Sequence, residues 1–153
     1  MIFCDSSFLA SLFVETDKLH KAASRIAQKF SEPMPYTLLG ELELLNALRR
    51  GLAEKALDVT AHDASIRRIN DDEAAGFLER RMINQIGHFE KARQLSKKFT
   101  GHLFCRSLDL LQVASALILS ADTFVTFDKN QAKLAVAAGL KVVSERGDRA
   151  GRH

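Results

Sequence analysis

Residues 106–140 read RSLDLLQVASALILSADTFVTFDKNQAKLAVAAGL. Ser107 stands where a hydroxyl can cap a helix over 108–120, a stretch dense in Leu, Val and Ala. Residues 123–127 are β-branched and aromatic and end at Asp128, the pattern of a short buried strand. A helix is predicted over 129–138, with Gly139 as its stop, and a last strand over 140–143. Strand, helix and strand in such close succession point to parallel pairing. The fold class expected is α/β, a small central parallel sheet flanked by helices and unusually rich in them.

The rest of the chain fits that frame. Residues 2–4 form a short apolar run ending at Asp5, and Ser6 or Ser7 can open a helix reaching Val14. Residues 17–30 carry a helical apolar stripe, and Pro33 and Pro35 break the chain before a strand near Tyr36. Residues 38–50 read as a Leu-rich helix whose apolar face is Leu38, Leu42, Leu45 and Leu48, closed by Gly51. Three or four helices fill 53–99, with breaks expected at residues 70–72, at Gly87 and at residues 100–101. One domain over 1–144 is expected, followed by a charged tail over 145–153 that frays.

Composition narrows the function classes. The chain has 153 residues, 46% hydrophobic and 27% charged, which is globular rather than disordered. Two cysteines, Cys4 and Cys105, are far apart and form no CxxC pair, so a structural zinc site is not indicated. The N-terminus has no basic leader region, and the uncharged stretch 110–121 is too short to span a membrane. A soluble protein of the reducing cytoplasm, with no membrane contact, is the expectation. Glycine cradles of the GxxxxGK and GxGxxG types are absent, as is GxSxG. The five histidines lack metal-type spacing and are expected on the surface or in loops.

Acids, in contrast, fall at telling positions. Open parallel sheets carry their chemistry just beyond the carboxyl ends of the strands. Asp5 and Asp128 both lie there, although each could serve only as a helix cap. Asp109 lies in a first helical turn, where it can offset the helix dipole or serve as a ligand. Glu41 and Glu43 share the 38–50 helix but point about 200° apart, so both cannot serve one site. Periodicity does not choose between them. Residues 79–106 hold seven basic residues against Glu79 and Glu90, a local excess larger than the chain's net +3. Either a solvated face or a phosphate-contacting one follows, with Arg80, Arg81, Lys97 and Lys98 as the candidates for phosphate contact.

Three segments, CDSS at 4–7, ELELLNALRR at 41–50 and the block at 106–140, together resemble the PIN-domain family. Within it they resemble the VapC-like toxin nucleases of bacterial toxin–antitoxin pairs. The resemblance implies a PIN-like fold and four acids as catalytic metal ligands. These match Asp5, Glu43 in preference to Glu41, Asp109 and Asp128, with Ser6 and Thr126 in support. It further implies Mg²⁺ or Mn²⁺, hydrolysis of RNA, a small antitoxin partner and a homodimer. Carboxylates are hard ligands suited to those ions, so the residue chemistry agrees. Two alternatives remain: a non-catalytic RNA-binding PIN module, and an α/β phosphatase or dehalogenase with Asp5 as nucleophile. The latter lacks a second acid two positions on, since residue 7 is Ser.

Overall fold

Phe3 and Phe124 face each other across a parallel strand pair, their rings stacked with centroids 5.8 Å apart. The strands are β1 (Ile2–Cys4) and β4 (Thr123–Val125), in register Ile2↔Thr123, Phe3↔Phe124 and Cys4↔Val125. The computed structural model describes residues 1–145 and the backbone of 147–149. Two compact units make up the chain: Met1–Asp5 with Met82–His153, and Ser6–Arg81.

In the first unit β4 leads through α7 (Lys129–Ala137) to β5 (Lys141–Ser144), which pairs with β4 in parallel. Gly139 makes the turn between them at φ +93°, a conformation open to glycine because it lacks Cβ. The tail expected to fray contributes β6 (Gly147–Arg149), which pairs antiparallel with β5 and satisfies its exposed edge. Residues 146 and 150–153 of that tail lie outside the described residues. The sheet order is β1-β4-β5-β6. Phe3, Phe124, Leu134, Leu140 and Val142 join Leu95 and Phe99 of α5 (Gln85–Leu103) and Leu110 and Val113 of α6 (Ser107–Ile118) in one core.

Small residues let α5 and α6 approach closely: Ala114, Ser115 and Ala116 are fully buried. His88, expected near the surface, is buried in this contact. Its Nε2 lies 2.8 Å from the Leu111 carbonyl, which can only accept, so Nε2 carries the proton. α5 also runs unbroken through Gly87 and residues 100–101. Asn84 Oδ1 caps it by accepting from the Gly87 amide at 3.0 Å, so that glycine sits in a first turn rather than at a joint. Ser107 is the first helical residue of α6, and its N-cap position is Arg106.

The second unit holds α1 (Ser6–Phe13), α2 (His20–Ala27), β2 (Met34–Tyr36), α3 (Leu38–Ala53), α4 (Val59–Ala74) and β3 (Leu78–Arg80). β2 and β3 form a two-stranded parallel sheet of their own. Thr37 caps α3 through the Gly40 amide, and Asp58 caps α4 through the Ala61 amide at 2.7 Å. Residues 70–72 therefore continue a capped helix instead of starting a new one. Gly51 lies inside α3, not beyond it. Leu57 folds back so closely there that a Cβ would meet its Cδ1 at 2.9 Å. The buried face of α3 is Gly40, Leu44 and Leu48, while Leu38 and Leu42 are exposed. Leucines at seven positions of α3 make two helical phases plausible, and packing chose the other.

Among the described residues no helix is long and apolar enough to cross a membrane. Phe124 is completely buried and stacks on Phe3, so Phe124→Ala should remove about 3–5 kcal/mol of stability. A fall in the urea midpoint at unchanged slope is the expected reading.

Candidate active site

The parallel pairing of β1 and β4 carries the chain beyond both strands to one edge of the sheet. The Asp5 amide donates to the Val125 carbonyl at 3.1 Å, extending the ladder by one residue. The Thr126 amide donates to the Val143 carbonyl at 3.1 Å, anchoring the other side. Between them the Thr126 hydroxyl donates to Asp5 Oδ2 at 2.6 Å and accepts from the Asp128 amide at 2.9 Å. A single hydroxyl thus ties two acids that lie 123 positions apart in sequence, 5 and 128. Both Asp5 and Thr126 are fully buried.

Asp128 serves as a helix cap and also binds Arg106. Its Oδ1 accepts from the Asn130 and Gln131 amides at 2.7 and 3.0 Å, capping α7. Its Oδ2 accepts from Arg106 Nη2 at 3.2 Å. The same guanidinium binds Asp109 through both oxygens, Nε to Oδ2 at 2.9 Å and Nη2 to Oδ1 at 3.2 Å. The Arg106 amide adds a contact to Asp109 Oδ2 at 3.3 Å. Asp5, Thr126, Asp128, Arg106 and Asp109 are therefore one hydrogen-bonded chain. The bonds and charge of Asp109, then the charge of Asp128, push the Arg106 guanidinium further above its ordinary value, so it stays a cation. Burial, reinforced by the charge of Asp5, pushes the neighbouring Cys4 thiol well up. Cys4 is thus a neutral thiol and no nucleophile.

The donor set suits a hard divalent cation: carboxylate oxygens alone, with no imidazole or thiolate among them. Among the described residues, however, no three His, Cys, Asp or Glu side chains are gathered as a ready metal cluster. Arg106 engages both oxygens of Asp109 and Oδ2 of Asp128. The residues fit the ion chemically once that guanidinium moves.

Of the other expected site residues, Ser6 opens α1 and Glu43 lies half-buried on α3, both in the second unit. Glu41 pairs with Arg80 at 2.8 Å. Arg80 also reaches Glu73 at 3.4 Å, and Arg81 pairs with Glu79 at 3.1 Å. Lys97 and Lys98 are exposed on α5, Lys98 lying 5.0 Å from the Phe99 ring centre. Sequence reasoning missed Arg106 as a member of the site. Its signal was an Arg three positions before an acid at a helix start, the i,i+3 spacing that brings the two together.

The PIN domain family profile matches residues 2–137. Among solved structures the fold is similar to VapC20 from Mycobacterium tuberculosis, described as a sarcin–ricin loop cleaving toxin. That likeness has a TM-score of 0.65 and 18% identity over 92% of this chain and 96% of that one. It is similar also to VapBC-1 from nontypeable Haemophilus influenzae, with a TM-score of 0.57 and 18% identity over 95% of this chain and 99% of that one. No curated protein matches the chain. At this level of identity the two structures speak to the fold alone.

Thr126→Val keeps the side chain's shape but removes the donor to Asp5 and the acceptor for the Asp128 amide. It should cost about 1–3 kcal/mol in chemical denaturation, and Thr126→Ser should cost much less. A larger loss for Thr126→Ser than for Thr126→Val would assign the role of Thr126 to its methyl group.

Proposed function

The chain belongs to the PIN domain family, and from that premise we propose that it is a metal-dependent endoribonuclease, the toxin of a type II toxin–antitoxin pair. The observation that supports this reading best is the hydrogen-bonded run of Asp5, Thr126, Asp128, Arg106 and Asp109 at the carboxyl ends of β1 and β4. Asp5, Asp109 and Asp128 would hold Mg²⁺ or Mn²⁺. Glu43 joins them on the strength of the family likeness, not of a distance. When bound, such an ion supplies a hydroxide at neutral pH and offsets charge on the phosphodiester.

This chain's own residues do the rest. Thr126 fixes the orientation of Asp5 with its hydroxyl proton, so the carboxylate presents a fixed edge. The α7 amides hold Asp128 Oδ1, which leaves Oδ2 as the oxygen turned to the site. Lys97 and Lys98, exposed on α5, would meet RNA phosphates along with Arg80 and Arg81. The last two already have acidic partners, so the lysines carry more of that proposal. The setting proposed is the cytoplasm, as a homodimer with a small antitoxin.

Purified protein should cleave RNA with Mg²⁺ or Mn²⁺ and stop in EDTA. Asp5→Asn, Asp109→Asn, Asp128→Asn and Glu43→Gln should each lower the rate on the order of 100-fold or more. Glu41→Gln should instead lower stability, since it strips Arg80 of a partner. Undiminished cleavage in EDTA would falsify the metal reading, and RNA binding without cleavage would favour a non-catalytic module.

RNA affinity should fall steeply with salt. Replacing Lys97 and Lys98 together with Gln should reduce the log–log slope by about 1.4 for single-stranded RNA. An unchanged slope in a filter-binding titration would make that face an idle solvated one.

A further inference from the structure

We propose that Arg106 is a resident counter-cation of the acidic site, holding Asp109 and Asp128 together in the metal-free chain and competing with the divalent ion for their oxygens. This rests on the metal reading above and deepens it, naming what the ion must displace.

The oxygens carry the argument. Asp128 Oδ1 is committed to the Asn130 and Gln131 amides of α7. Its other oxygen, Oδ2, is the one Arg106 takes. Asp109 gives both of its oxygens to the same guanidinium. A divalent ion shared by these two carboxylates therefore meets the guanidinium at every oxygen that faces the site. Two cations side by side on the same pair of carboxylates repel, so occupation by one weakens the other.

Burial sets which group moves. The Arg106 side chain is 66% exposed, while that of Asp109 is 4% exposed. The guanidinium lies over a buried acid from the solvent side, on a flexible stem, and can withdraw into water without disturbing the core. Asp109 does not lose its orientation when that happens. The backbone amide of Arg106 still meets its Oδ2, and that contact belongs to the helix start rather than to the side chain. Arg106 thus has a docked position that neutralises the acids and an undocked one that releases them.

The geometry of a guanidinium suits this task. It spans two carboxylates through a planar fork, where an ammonium would act as a point charge on one. Bridging both acids keeps them from driving each other apart while no ion is bound.

The test measures metal binding, not cleavage. Mn²⁺ is titrated into wild type, Arg106→Met and Arg106→Lys by calorimetry. Arg106→Met, which keeps the stem and removes the charge, should bind Mn²⁺ about tenfold tighter or more. It should also gain more in melting temperature from the ion than wild type does. Arg106→Lys should fall between the two. A second measurement needs no variant: in wild type, the Arg106 Nε–H nitrogen resonance should move toward that of free arginine in step with Mg²⁺. If both wild type and Arg106→Met bind Mn²⁺ with equal affinity, or the variant binds more weakly, the competition is wrong and the metal reading survives. An Arg106 resonance unmoved at saturating Mg²⁺ overturns it equally. If none of the three proteins binds Mn²⁺, the metal reading falls and takes this inference with it.

Discussion

The register of β1 against β4 governs everything at the acidic edge. Pairing Cys4 with Val125 lets the Asp5 amide reach the Val125 carbonyl, and the Asp5 carboxylate then meets the Thr126 hydroxyl. A slip of one residue would turn Asp5 to the opposite face, because strand side chains alternate. It would also part the stacked rings of Phe3 and Phe124. The apolar contact and the polar one therefore specify the same register, so a core pair helps to aim a functional group.

Two arginines each bridge two acids here, and comparing them separates scaffold from site. Arg80 joins Glu41 of α3 and Glu73 of α4, and its guanidinium also reaches the Tyr36 hydroxyl at 3.2 Å. Burial pushes the Tyr36 phenol up, the Arg80 bond pulling the other way, so Tyr36 stays neutral with its oxygen available. That cluster stitches two strands, β2 and β3, to two helices. Arg106 has an acid behind it that is nearly inaccessible and a face turned to water. The same ionic composition yields a stitch in one place and a removable cover in the other. The difference lies in where solvent reaches.

Much of this was legible in the sequence, and the failures have physical causes. Asp5, Asp109 and Asp128 could be picked out because strand ends and a helix start leave local signals. The α/β class followed from the closely spaced β4, α7 and β5. The pairing of Arg106 with Asp109 had a local signal, but its second partner, Asp128, is distant in sequence and left none. β3 was missed because three residues, two of them charged, give no alternation to read; its pairing with β2 is entirely tertiary. The buried face of α3 was misjudged because leucine occurs around much of that helix. Gly51 looked like a terminator, yet its missing side chain makes room for Leu57. A glycine has two uses, a turn and a gap, and sequence alone does not say which.

The four-stranded sheet draws β1 from one end of the chain and its remaining strands from the other, with the whole of Ser6–Arg81 between them. This sets an order of assembly during synthesis. The intervening unit has all of its strands and helices once Arg81 is made. β1, in contrast, has no partner strand until residues 123–125 follow, and Asp5 meets Thr126 across a separation of 121 residues. Closing so long a loop is slow compared with local pairing. A nascent chain therefore carries Asp5 without the acidic site existing until residues 123–128 have followed. The site forms only once residues 123–128 have been made, so a product truncated before them holds the first acid and not the last.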